Sequence, residues 1–304
     1  MPASRARLIG FALSAFGAML FAIKGVLIKL IYVYQIDTTT LLTLRMLISL
    51  PVFLGIGAAQ WLRTPIERRP NRRTIALAGG VGILGYYVSS WLDFESLQTL
   101  EAQTERLILF TYPFFVILFG RLLLGHPLRF HALVGAEFSY LGLIVMFASD
   151  PARLSADMLT GAAFVAAAAM TFALYQLFAR EMILRCGPTL FTGIAMGAAG
   201  LAIVIHFALT HESRALDIPV EAWGLIVALA VFATIVPSFM MSAGTARIGA
   251  QGTAIISTIS PVVTIVFAIL ILNEPFGWPE AAGTLLVLGG VGLFTYMETR
   301  RRTA

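Results

Sequence analysis

Five ionisable side chains stand inside runs that are otherwise apolar: Lys24, Arg45, Asp93, Glu105 and Arg106. A charge placed inside a membrane costs about 2.5–3.5 kcal/mol on insertion scales, so each needs a partner or a task. Three tasks suit these residue types. They can pair and hold helices together, they can form a gate that closes one side of a cavity, or Lys24, Arg45 or Arg106 can meet an anionic group on a ligand. Spacing adds neighbours. Glu101, Glu105 and Tyr112 fall on one helical face, and Tyr86, Ser89, Ser90 and Asp93 form a second polar stripe. Such stripes face protein or water rather than lipid. Tyr86, Tyr87, Trp91, Thr111, Tyr112, Tyr175, Gln176, Ser257 and Ser260 add aromatic faces, hydroxyls and an amide, which suit a small, partly polar ligand. Glu137 stands alone in its apolar run and is a candidate proton-coupling carboxyl. Lys29 is expected to snorkel, His206 to pack in a core, and Glu274 to serve a loop or helix cap.

The elements that must carry these residues follow from composition. The chain is 59% hydrophobic and 12% charged, with mean hydropathy +0.88, against about a quarter charged in a soluble domain. Ten segments are long enough to cross a bilayer, at 8–31, 39–60, 74–94, 101–124, 130–148, 157–182, 188–210, 222–244, 251–272 and 278–297. The fold expected is therefore an all-α membrane protein with ten transmembrane helices. Lys and Arg in the links fall fifteen on one side against two on the other, the two being Arg153 and Arg214. That bias puts both termini in the cytoplasm, with the protein integral to a plasma membrane, a bacterial inner membrane being expected.

The chain is also duplicated. Pro113, Pro127, Gly135 and Gly142 recur as Pro261, Pro275, Gly283 and Gly290 at an offset of 148 residues. Gly10, Ala12, Ala15, Ala18, Met19, Phe21 and Ala22 recur at an offset of 151. The halves are 1–150 and 151–304. Five spans per half is an odd number, so the halves cross in opposite senses, the inverted-repeat arrangement of transporters. Pro113 and Pro261 fall near the middle of their spans and are read as a matched pair of kinks or hinges. The repeated glycines are read as close helix contacts.

Several ordered pieces then carry a family likeness. They are Lys29, Leu44-Arg45-Met46, Glu105-Arg106-Leu107-Ile108-Leu109-Phe110 with Tyr112-Pro113, Ile259-Ser260-Pro261 and Leu272-Asn273-Glu274-Pro275, followed by Gly283 and Gly290. The chain resembles, nearly end to end, the ten-helix EamA-type branch of the drug/metabolite transporter superfamily. It departs from that pattern at His126-Pro127, where the second half has Glu274-Pro275. The resemblance implies two five-helix inverted repeats around a central cavity, moving an amino acid-like solute, a nucleobase or a small organic anion by alternating access, with export expected.

Other classes fit less well. The four histidines are scattered, Cys186 is the single cysteine, and no nucleophile constellation or phosphate loop stands out. An enzyme, a cofactor and a metal site are not expected. A channel shares inverted repeats, but no filter or pore-lining charge ring is legible. The net charge of +5 lies in loops without aromatic interleaving, which argues against nucleic acid. The partners expected are a small-molecule substrate and the lipid bilayer, with the protein a monomer or homodimer.

Overall fold

Every apolar run becomes helix, and no strand occurs among the described residues of this computed structural model, which are 3–125, 130–149, 155–257 and 259–302. His126, Pro127, Arg129 and Arg153 lie outside them. The helices in order are α1 (Ala3–Ala22), α2 (Lys24–Tyr32), α3 (Thr38–Arg63), α4 (Arg72–Gly82), α5 (Ser89–Ser96), α6 (Ala102–Leu109) and α7 (Tyr112–Leu124). There follow α8 (Phe130–Ala148), α9 (Ala156–Cys186), α10 (Pro188–Thr210), α11 (Val220–Ala230), α12 (Val236–Ser257), α13 (Ser260–Leu272) and α14 (Trp278–Arg302). Seven helical rods among them are long and apolar enough to cross a membrane. Two shorter apolar helices are Val134–Ala148 and Ser260–Leu272.

Polar residues punctuate the rods. The Asp37 carboxylate accepts from the backbone N–H groups of Thr39 and Thr40 at 2.9 and 3.0 Å and starts α3. Burial pushes the Asp37 carboxyl up, but hydrogen bonds from Thr40 and Thr39, with His211 nearby, outweigh it and hold it below its ordinary range. Asn71 starts α4 in the same way, through Thr74.

Two local distortions repeat at the offset of the duplication. A π-helical turn at Ile83–Val88 joins α4 to α5, and another at Val231–Ile235 joins α11 to α12. In the second, the Thr234 hydroxyl donates to the Leu229 carbonyl, five residues back, at 3.0 Å. Left-handed residues end α7 and α13, Gly125 at φ 69° and Asn273 at φ 53°. Glycine and asparagine are the residues that tolerate this conformation.

Helices that correspond between the halves pack against each other in opposite directions. Along α3 and α10, Gly57 meets Gly193, Leu54 meets Gly197 and Leu50 meets Gly200. Along α8 and α14, Gly142 meets Gly283, and Gly135 with Ser139 meets Gly290. Residue numbers fall on one helix as they rise on the other. The start of α1 lies along α12 in the same sense, with Gly17 at Met241, Ser14 at Gly244 and Gly10 at Ile248. Small residues at each crossing let backbones approach closely.

Two expectations from sequence are modified. The link foreseen near 245–250 is helical, because α12 continues to Ser257. The Thr245 hydroxyl nevertheless donates to the Thr253 hydroxyl at 3.1 Å. A straight helix would hold residues eight apart about 12 Å from each other, so the chain bends back there. The prolines also differ. Pro113 and Pro261 do not kink continuous helices. Each lies in the first turn of a new one, α7 and α13, where its missing N–H has no intrahelical partner to lose.

The crossing of α8 and α14 gives a direct test. A Cβ at Gly290 would stand 2.4 Å from the Gly135 carbonyl oxygen, whereas one at Gly289 would meet nothing within 4 Å. Gly290→Ala should destabilise the protein by about 1–3 kcal/mol, as overpacking does. Gly289→Ala should be neutral or stabilising. Thermal unfolding of the two variants in detergent checks this.

Candidate functional site

The structure brings the five intramembrane charges together. The Lys24 ammonium pairs with Asp93 Oδ2. Lys24 lies 5.7 Å and Arg45 4.9 Å from the centre of the Phe94 ring. Glu105 lies against Asp93, and the charges of Lys24 and Arg106 act on both carboxyl groups. Arg106 Nη2 donates to the Ser260 hydroxyl at 2.5 Å. Arg45, Asp93 and Glu105 are buried, with exposures of 5, 2 and 1%. These bonds do not satisfy the cluster. The Nε atoms of Arg45 and Arg106 are buried without a hydrogen-bond partner, while the carboxyl groups of Asp93 and Glu105 share a hydrogen bond with each other.

Backbone breaks converge on the same layer. One rod is interrupted at Ile23, between α1 and α2, so Lys24 begins a new helix. A second is interrupted at Phe110 and Thr111, between α6 and α7. The start of α13 at Ser260, after Ile259, lies beside them. Each break frees peptide groups that need other partners in an apolar setting. The Thr264 hydroxyl of α13 donates to the Ala22 carbonyl at 2.8 Å. The Thr111 hydroxyl donates to the Ile108 carbonyl at 2.7 Å. Arg106 reaches the first turn of α13 through Ser260, so the breaks are tied to one another as well as repaired.

An aromatic layer adjoins the charges and carries most of the other residues expected from sequence. Tyr175 donates to the Tyr86 hydroxyl at 2.8 Å. Its ring lies flat on Gly85, where a Cβ would stand 2.3 Å away, inside the π-helical turn. Tyr112 packs edge-on against Phe172, which stacks on Tyr175. Tyr112 also bonds Gln176 and feels the charge of Arg106. Trp91 Nε1 donates to the Thr39 hydroxyl at 3.2 Å, and its ring meets Phe164. His206, expected to be a packing residue, bonds the Tyr87 hydroxyl through Nδ1 at 2.8 Å and lies beside Trp91. Its hydrogen-bond partner Tyr87 is 119 residues away in sequence, so no local signal marks it. Gln176 is exposed. Glu137 is exposed on α8, outside both layers. Pro113 and Pro261 flank the second break and the start of α13.

One end of the bundle carries a second device. Glu274, just beyond α13, accepts from the backbone N–H groups of Ala102 at 2.6 Å and Gln103 at 3.1 Å. A loop of the second half therefore caps the first turn of α6 in the first half. Gln103 Nε2 returns a bond to the Pro275 carbonyl at 2.7 Å. Lys29, expected to snorkel, instead donates to the carbonyls of Leu97 at 3.2 Å and Leu100 at 2.9 Å. The turn between α5 and α6 thus has a cation at its carbonyl end and an anion at its N–H end, each placed to oppose the helix dipole. At the same end His211 Nε2 lies 3.3 Å from Asp37 Oδ1 and Gln98 bonds Thr38. Burial pushes the Glu274 carboxyl up despite the two backbone bonds that favour its charge.

Comparison with known proteins agrees with this architecture. The model of the EamA-like transporter family matches residues 8–148 and, separately, 159–296. The chain is similar to the uncharacterized transporter YcbK of Bacillus subtilis, 28% identical over 291 residues covering 94% of this chain and 91% of that one. It is also similar to the uncharacterized transporter sll1319 of Synechocystis sp., 26% identical over 327 residues covering 99% and 97%. A solved crystal structure superposes with a TM-score of 0.64 over 97% of this chain and 98% of that one. At 20% identity that is a likeness of fold alone.

The cap formed between halves predicts two outcomes. Glu274→Ala should lower stability by about 0.5–2 kcal/mol, the usual worth of a cap, and Glu274→Gln by less because one acceptor remains. The pH dependence has a definite sign. With the folded pKa raised above the ordinary 4.5, stability from Glu274 is full below that value and is lost as pH rises through the raised pKa. Thermal unfolding across weakly acidic pH should show this decline in the natural protein and not in Glu274→Gln.

Proposed function

This chain belongs to the EamA-like transporter family, and from that premise we propose that it carries a small metabolite across a membrane by alternating access. The single observation that supports this most is the convergence of two broken helices and the start of α13 on one layer of buried, incompletely bonded charges. A helix broken in lipid is tolerated only where protein or a water-filled cavity surrounds it, and broken helices around a central site recur in secondary transporters. The cavity is read as lying between the charge layer and the aromatic layer. Its substrate is amino acid-like, a nucleobase or a small organic anion, and its direction is export.

The proposed frame is ten helices in two inverted repeats. The antiparallel pairs α3 with α10 and α8 with α14 support it, as do the π-helical turns and left-handed caps repeated at the offset of the duplication. The positive-inside count supports cytoplasmic termini, in a bacterial inner membrane. In that orientation the end closed by Glu274 and Lys29 is external, and this conformation is the one closed to the outside. Opening then requires Glu274 to release Ala102 and Gln103. The break before Tyr112 and the start of α13 at Ser260 are the points at which helices pivot, with Pro113 and Pro261 beside them. Glu137, exposed on α8, is kept only as a site of proton sensitivity and not as part of the cavity.

Reconstitution tests this reading. Purified protein in vesicles preloaded with amino acids, nucleobases or carboxylates should take up the matching labelled solute by counterflow, with a rate that saturates. Flux that rises without saturation and gives no counterflow would show a channel instead.

A further inference from the structure

We propose that the arginine-rich turn joining α3 to α4 is a binding site for the head groups of anionic phospholipids. The first observation is charge. Residues 63–73 hold Arg63, Arg68, Arg69, Arg72 and Arg73 against a single carboxylate, Glu67. Arg63, Arg68, Arg72 and Arg73 are exposed, and among the described residues none of these arginines is paired with a carboxylate. Elsewhere an exposed arginine does find one, as Arg185 finds Glu181. Like charges gathered so closely repel one another and draw anions to the turn.

The second observation is depth. α3 has 26 residues, which span about 39 Å at 1.5 Å per residue. The hydrocarbon core of a bilayer is about 30 Å thick, and about 40–45 Å with its head groups. With Asp37 capping one end of α3, Arg63 at the other end falls among the head groups rather than in bulk water. The neighbouring side chains agree. Leu62 and Ile66 are large and apolar, yet they are 76 and 74% exposed. Pro51, Gly55, Ala58 and Leu62 lie on one exposed face of α3 at helical spacing, so acyl chains have an apolar path up to the turn. Trp61 is a residue type of the membrane–water interface. Arg69 stacks 5.0 Å from the centre of its ring and donates through Nε to the Thr64 carbonyl at 3.1 Å. That guanidinium is held at the interface with its Nη groups left to meet phosphate oxygens. A soluble anion would have no use for Leu62 and Ile66, so the ligand is a lipid.

Thermal unfolding of the full chain in detergent, with lipid titrated in as mixed micelles, tests this. Phosphatidylglycerol should raise the melting temperature with a saturable dependence, and less so in high salt. Phosphatidylcholine, and inorganic phosphate at the same concentration, should give little shift. Each arginine near an anionic surface is worth roughly fivefold in affinity. Arg68→Gln combined with Arg72→Gln should therefore weaken the phosphatidylglycerol response by roughly tenfold or more. The lipid-free melting temperature should stay the same, because both side chains are exposed. Arg121→Gln combined with Arg247→Gln removes the same charge from α7 and α12 and should leave the response intact. Equal loss in the two double variants would mean that net charge, not this turn, draws the lipid, and would overturn the proposal. An equal shift with phosphatidylcholine, the full shift with inorganic phosphate, or no shift with phosphatidylglycerol would overturn it as well. None of these readouts involves transport, so their failure leaves the carrier reading untouched.

Discussion

A peptide group freed inside an apolar slab has no water to turn to, and the central features of this protein follow from how such groups are bonded. Two rods are interrupted beside the start of α13, and each interruption exposes carbonyls or N–H groups that must find partners within the protein. Thr264 covers the Ala22 carbonyl and Thr111 covers that of Ile108. Arg106 spans from the broken α6–α7 rod to the start of α13. The Thr264 and Arg106 bonds join the first half of the chain to the second at its most polar point. A change in the relation of the halves must therefore be felt at Lys24, Asp93, Glu105 and Arg106, which occupy the same layer.

At the end of the bundle the same constraint is met by charge. The turn from α5 to α6 has its carbonyls held by Lys29 and its N–H groups held by Glu274. Glu274 belongs to the other half, so the cap is also a tie between halves. Its counterpart by the 148-residue offset is His126, which has no carboxylate to offer to a helix start. The proline and glycine marks are duplicated, while the charged tie is written only once.

Much of this was legible in the sequence because charge is rare in apolar segments. Lys24, Arg45, Asp93, Glu105 and Arg106 stand out in otherwise apolar runs and call for partners. Gly142, Gly283 and Gly290 were recognisable as contact positions from their spacing. Other features carried no local signal. A proline in the first turn of a new helix and one in mid-helix look alike in an apolar run, so Pro113 and Pro261 read as kinks rather than as starts. Capping rules concern near neighbours, and Glu274 caps a helix 172 residues away. Nothing near His206 announced Tyr87, nor did the chain around Gly85 announce the Tyr175 ring that sits in its π-helical turn. Contacts between the halves belong to the folded molecule, whereas propensity and periodicity describe one segment at a time.

The central claim is that the aromatic and charged layers line a space open alternately to the two sides of the membrane. Gln176 is the position that tests it most directly, because it is exposed yet reaches the Tyr112 hydroxyl. With Cys186 replaced by serine and Gln176 by cysteine, labelling by a membrane-impermeant thiol reagent can be followed in right-side-out and in inside-out vesicles. The account predicts labelling from both sides. Labelling from one side alone, or from neither, would contradict it.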